Sequence, residues 1–306
     1  MDCSFLRCEH NPLITTRDLP YRANTVFNAG AADLETSVVL ILRVESLSGR
    51  SHLIVARSED GMTNWQIGDR AILHPDDGAA YEEYGVEDCR ITYLEDREVW
   101  AITYTGVHYA GHSIGVALTR DFRTVERLGL AFPSDNKNAV LFPRKIDGYY
   151  AMLHRPASGG GSIWIAYSPD LIYWGRSAMV VPPRGGPWWD GTRVGAGVTP
   201  IETECGWLII YHGVKGMVSG PIYRIGAALL DLENPSRMIA RSRRWLMGPE
   251  EPYERMGDVP NVVFPCGGFV RGRDIWMYYG AADASVCLAT ITVDEILNTV
   301  LSEPVF

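Results

Sequence analysis

Apolar segments along this chain come in pairs: a strand-length run, a polar turn, and a second run built around an alanine. The second runs read SHLIVARS (51–58), SIGVALT (113–119), SIWIAYS (162–168), YRIGAALL (223–230) and SVCLATI (285–291). Their shared alanines, Ala56, Ala117, Ala166, Ala228 and Ala289, are spaced by 61, 49, 62 and 61 residues. Each is preceded by a first run: VVLILRVE (38–45), VWAITYTG (99–106), YYAMLHRP (149–156), WLIIYHGV (207–214) and IWMYYGAA (275–282). A repeat of this length made only of strands cannot bury its own faces, so it must pack on its neighbours. The pattern predicts an all-β chain, a five-bladed β-propeller of about four strands per blade, with a central axial active site.

The repeat spans nearly the whole chain, which predicts one domain over residues 1–306. Residues 1–25 form a lead-in expected to supply an outer strand or a brace. The segment 293–306 is a tail whose VDEILNTVLSEP begins a short helix. Gly/Pro-rich loops are expected at 157–162 and 181–191, and the first is pliable enough to border a site.

Equivalent positions in such repeats approach one axis. Following the first runs these are Arg43 to Glu45, Tyr104-Thr105, His154-Arg155, Tyr211-His212 and Tyr279 to Asp283. The segments opening the repeats add Asn28 to Gly30, Glu87-Asp88, Asn138, Gly195 to Gly197 and Asn261. Different polar groups in every repeat point to one asymmetric site rather than scaffold. Strand alternation in EDCR puts Asp88 and Arg90 on one face, opposite Glu87 and Cys89. Lys137, Asn138, His154, Arg155, Arg193 and His212 form a basic set, the donor chemistry that phosphate or carboxylate requires. Gly195 and Gly197 either admit a ligand close to the backbone or make a tight turn.

The net charge of −9 argues against a nucleic-acid-binding surface and makes that basic set stand out. No apolar run is long enough to span a membrane, and MDCSFLRCEHNPL lacks the apolar core of a secretory signal. The six cysteines form no CxxC pair and no zinc spacing, as for reduced thiols in a cytoplasmic protein. No metal and no cofactor is expected.

LRVE with HLIVARSEDG, GVEDCRITYL, NKNAVLFPRKIDGYYAMLHRP, WWDGTRVGAG, GWLIIYHGV, YRIGAALLDLENP and NVVFPCGG with YYGAAD, in this order, carry a resemblance. Over residues 24–298 the chain resembles glycoside hydrolase family 130, the β-mannoside phosphorylases and mannosidases, which are five-bladed propellers. The resemblance implies that Asp88 is the general acid, acting through a hydroxyl of the substrate sugar. It implies sugar binding by Asn28, Arg43 and Asp283, and phosphate binding by Asn138, Arg155, Arg193, His212 and Tyr223. Two departures stand out. Cys89 replaces the proline of the family's Glu-Asp-Pro-Arg, and the lysine usual near Arg193 aligns with Thr192 or with Arg193 itself.

An inverting hydrolase needs a base to activate water, whereas phosphate is already an anionic nucleophile and needs cations to hold it. The basic set therefore favours phosphorolysis of β-1,4- or β-1,2-linked mannosides to α-mannose 1-phosphate, with inorganic phosphate as co-substrate. The expected partners are a β-mannoside oligosaccharide and phosphate, with neither nucleic acid nor membrane, and a homo-oligomer is compatible with the sequence. The rivals are an inverting mannosidase of the same family, an arabinanase- or fructosidase-like enzyme with three acids on separate blades, and a non-catalytic sugar-binding propeller.

Overall fold

The computed structural model describes residues 4–77 and 79–302. Leu6–Arg7 (β1) is followed by five groups of antiparallel strands, the first two joined into one sheet by a single parallel pairing of Ser51 with Gly85. The first group holds β2 (Thr25–Asp33), β3 (Val38–Glu45), β4 (Ser51–Ser58) and β5 (Gln66–Leu73). The second holds β6 (Gly85–Leu94), β7 (Val99–His108), β8 (Gly111–Thr119) and β9 (Glu126–Phe132). The third holds β10 (Asn136–Leu141), β11 (Tyr150–Pro156), β12 (Ile163–Ser168) and β13 (Gly175–Val181). In the fourth, β14 (Arg193–Ala196) and β15 (Ile201–Thr203) both pair with β16 (Gly206–Lys215), followed by β17 (Ile222–Leu230) and β18 (Met238–Arg241). The fifth follows the short helix α1 (Pro252–Arg255) and holds β19 (Val263–Arg271), β20 (Asp274–Ala281) and β21 (Ser285–Thr292). Its fourth strand is β1, through Leu6 opposite Thr290 and Arg7 opposite Ala289. The lead-in thus supplies an outer strand, and the tail forms helix α2 (Val293–Leu301). The end of the expected tail motif, from residue 303, lies outside the described residues, as does Cys3.

The all-β class expected from the repeat is the class observed. Both predicted runs of every repeat are the middle strands of a group, with ends within a few residues. These strands are apolar on both sides, as β3 and β16 illustrate, because both faces of a group are covered. The buried clusters lie between consecutive groups. One joins Val39, Ile41 and Leu53 to Val86, Ile91 and Ile102. The next joins Leu94, Val99 and Ile114 to Leu141 and Met152. Others join Leu153 and Ile165 to Trp207 and Ile209, and Leu208 and Ile210 to Ile275 and Met277. A further cluster packs Tyr278 and Leu288 of the fifth group on Val38, Leu40 and Leu42 of the first.

Three tyrosines expected to line the site instead brace the scaffold. Tyr104, Tyr211 and Tyr279 donate to the buried carboxylates of Glu82, Asp190 and Glu254 at 2.6, 2.9 and 2.8 Å. Each carboxylate also accepts from an arginine of an outer strand, respectively Arg127, Arg241 and Arg7. Each trio ties an inner strand to an outer one across a group. Breaking a buried ion pair strands its partner, so Glu254→Gln should destabilise the fold by about 3 kcal/mol, measured by urea unfolding.

Candidate active site

The first strand of four groups carries the same irregularity. Register slips between Phe27 and Gly30 in β2, Glu87 and Arg90 in β6, Lys137 and Val140 in β10, and Pro265 and Gly267 in β19. At three of these bulges the extra residue is left-handed: Asn28 (φ 48°), Asp88 (φ 46°) and Asn138 (φ 57°). Asn and Asp tolerate that region better than other side-chain-bearing residues, and a bulge re-aims the side chain it carries. All three line one cavity of about 360 Å³.

The expected alternation along 87–90 fails for this reason. The bulge lets Glu87 and Asp88 both reach Arg43, at 2.8 and 3.0 Å. Arg90 turns away to the carbonyls of Ala196 and Gly197, at 3.1 and 3.2 Å.

All nine candidate residues line the cavity: Asn28, Arg43, Asp88, Asn138, Arg155, Arg193, His212, Tyr223 and Asp283. They divide by charge. On the acidic side, Asp88 Oδ1 accepts from Asn28 Nδ2 at 2.9 Å and from Arg43 Nη1 at 3.0 Å. Burial pushes the Asp88 carboxyl up, but the charges of Arg43, Arg90 and Lys137 and the Asn28 hydrogen bond outweigh it and bring it to about 2. Asp283 behaves oppositely. Burial, and then the negative charge of Asp88, push it up to about 7 against the pull of Arg43.

On the basic side, Arg155 Nη1 donates to His212 Nε2 at 3.2 Å, which leaves the histidine proton on Nδ1. Burial, followed by the charges of Arg155, Arg90 and Arg193, keeps this imidazole neutral. Its Nδ1 and the Asn138 Oδ1 are buried without a protein partner. Arg193 Nη2 donates to the Tyr223 hydroxyl. Among the described residues neither Arg155 nor Arg193 has a carboxylate within ion-pairing distance. Burial and then Arg193 lower Arg155 to about 10.

His154 of the basic set does not line the cavity; its ring stacks on Phe132 with centroids 4.1 Å apart and bonds Asn136. Gly195 lies within β14 rather than in a tight turn. A Cβ there would collide with the His212 ring and lie 2.7 Å from Asn138 Oδ1, so its bare backbone makes room for two site side chains. The sequence reading missed His112, Asp135 and Phe264, which also line the cavity. His112 Nδ1 and Asp135 Oδ1 are 3.0 Å apart, His112 at the start of β8 just before its predicted run and Asp135 in the β9–β10 link, where the repeat pattern marks no residue as facing the site. Ala157, from the loop expected to border a site, does so.

A donor-rich anion pocket facing a buried carboxylate network fits sugar–phosphate chemistry, and comparison with known proteins agrees. The sequence profile of glycoside hydrolase family 130, described as β-1,4-mannooligosaccharide phosphorylase, matches residues 9–302. The chain belongs to this family. It is 37% identical over 311 residues to the β-1,4-mannooligosaccharide phosphorylase of Ruminococcus albus, covering 97% of this chain and 90% of that protein. It is also 37% identical to a β-1,2-mannobiose phosphorylase of Listeria innocua, over 82% of this chain and 69% of that one. A solved structure of a Listeria innocua β-1,2-mannobiose phosphorylase with β-1,2-mannobiose superposes with a TM-score of 0.90 at 30% identity, covering 98% of this chain and 99% of that one.

Two outcomes are expected. Gly195→Ala should displace His212 and Asn138 and so abolish the rise in melting temperature that phosphate is expected to give the parent. Asp283 carries a proton when folded that the unfolded chain releases near 3.8, so its contribution to stability falls as pH rises from about 4 to about 7. Asp283→Asn removes that dependence. In phosphate-free urea unfolding its advantage over the parent should be about 2–3 kcal/mol larger at pH 8 than at pH 5.

Proposed function

We propose that this chain catalyses the reversible, inverting phosphorolysis of β-mannosides, giving α-mannose 1-phosphate and a chain one sugar shorter. The observation that carries the reading is the pairing, in one cavity, of a buried carboxylate with two arginines, Arg155 and Arg193, that have no carboxylate within ion-pairing distance among the described residues. The mannose ring is taken by Asn28, Arg43 and Asp283. Asn138, Arg155, Arg193, His212 and Tyr223 hold phosphate beneath the anomeric carbon. His212 contributes as a neutral donor through Nδ1–H, and the arginines supply charge-assisted bonds.

Asp88 sends a proton to the glycosidic oxygen through a sugar hydroxyl as phosphate attacks C1 from the opposite face. With the cavity empty its carboxyl is held near 2 and cannot act as an acid at neutral pH. A phosphate dianion among the basic groups opposes the field of Lys137 and Arg90, and the sugar displaces water, so binding raises the affinity of Asp88 for its proton. The proton balance closes on phosphate: hydrogen phosphate enters, mannose 1-phosphate leaves without that hydrogen, and the released sugar gains it. Positioning the nucleophile in line contributes up to roughly 7–11 kcal/mol in well-oriented cases.

The architecture belongs to the same reading: one domain, a five-bladed propeller whose axis holds the site. Support comes from five groups in chain order, a fifth group that packs on the first and takes β1 as its outer strand, and first strands that contribute residues to one cavity. The five described cysteines are free, which suits a reducing compartment.

Product analysis with β-1,4- and β-1,2-mannobiose, each with and without phosphate, tests the proposal and selects the linkage. Strictly phosphate-dependent α-mannose 1-phosphate is expected; mannose released without phosphate would overturn it. Asp88→Asn suits the left-handed backbone at this position, so it should fold normally and lose at least about a hundredfold in turnover on mannobiose.

A further inference from the structure

Arg90 is one of the largest fully buried side chains of the molecule, 1% exposed, and no carboxylate among the described residues pairs with it. A guanidinium removed from water without a counter-ion is costly, so its bonds are informative. All three go to main-chain carbonyls: Nη1 to Asp88 at 2.7 Å, Nη2 to Ala196 at 3.1 Å and Nε to Gly197 at 3.2 Å. The Phe264 ring lies 5.6 Å from its central carbon. Asp88 sits at the bulge of β6, where the ladder to β7 is broken and no strand pairing fixes the carbonyl. Ala196 and Gly197 lie at the end of β14, opposite Tyr211 and Ile210 and directly after Gly195, which packs on His212 and Asn138. One planar fork therefore links the acid's own peptide to the strand that packs against the phosphate donors.

We infer that Arg90 is a positioning residue that sets the distance and direction between the proton donor Asp88 and the phosphate seat. This rests on the phosphorolysis reading above. Lysine at this position would keep a positive charge but could not span three carbonyls from a single ammonium. Loss of the clamp would let the bulged peptide turn, and the carboxyl would no longer meet its proton acceptor.

The test compares two substrates on one enzyme preparation with phosphate present: mannobiose, whose leaving sugar needs a proton, and a dinitrophenyl β-mannoside, whose leaving group departs without one. Partial misfolding lowers both rates equally and leaves their ratio unchanged. In Arg90→Lys the aryl-to-mannobiose rate ratio should rise at least about tenfold over the parent, in the direction of Asp88→Asn, which marks the limit for loss of the acid. Arg90→Gln, which keeps donors and drops the charge, is read by the same ratio. Equal loss on both substrates in both variants, or no loss, overturns the assignment and leaves Arg90 a structural residue. If the parent converts neither substrate with phosphate, the functional reading fails instead, and the two failures are distinguishable.

Discussion

Every strand group of this protein has two apolar faces and can shed both only by lying between two others. That constraint governs the rest of the molecule. Burial of apolar area, at about 25 cal/mol per Å², is the dominant favourable term, and here it is available only at contacts between groups. The fifth group accordingly packs Tyr278 and Leu288 against Val38 and Leu40 of the first. Leu6–Arg7 then completes the final group from the opposite end of the chain. Arg7 is held by Glu254, whose carboxylate also receives Tyr279, so the same contact serves both closure and the brace within the group.

Packing of this kind leaves the inner ends of the first strands crowded together with unmet polar groups. The bulges at Asn28, Asp88 and Asn138 turn that region into a site. Each spends local ladder bonding and a left-handed residue to swing a polar side chain inward, a strain tolerated because apolar packing on either side holds the strand. Where the ladder is interrupted, other groups take its place: Arg43 on Asp88, and Arg90 on the freed carbonyl. The resulting cavity is polarised, with carboxylates gathered around Arg43 and unpaired cations around His212. In a chain of net charge −9 such a division sets a cationic end of the cavity against an acidic one.

The strands were legible because paired apolar runs recur at similar spacing, and the middle strands of all five groups follow them closely. The candidate residues were legible as a set, since the motifs that carry the family resemblance lie on those strands and the segments that open each repeat. What each polar residue does was less legible. Tyr104, Tyr211 and Tyr279 occupy positions equivalent to residues of the site, yet their hydroxyls turn to buried acids supplied by segments outside their own strands. His154, beside Arg155, is drawn into a stack with Phe132. A period-two reading of EDCR misdirected Asp88 and Arg90 because a bulge inserts a residue that composition does not announce.

By itself, then, the sequence determined the class of the fold, the middle strands of its repeats, and the kinds of donor and acceptor brought to the cavity. These depend on local periodicity and on which residue types recur at equivalent positions. Only the tertiary structure decided which of those groups share a cavity, which brace the scaffold, and what protonation each carries. Asp88 and Asp283 are the same side chain; one is drawn to about 2 by three cations and the other pushed to about 7 by burial and by its neighbour. Charge interactions act through space between residues far apart in the chain, so no local pattern could have separated them.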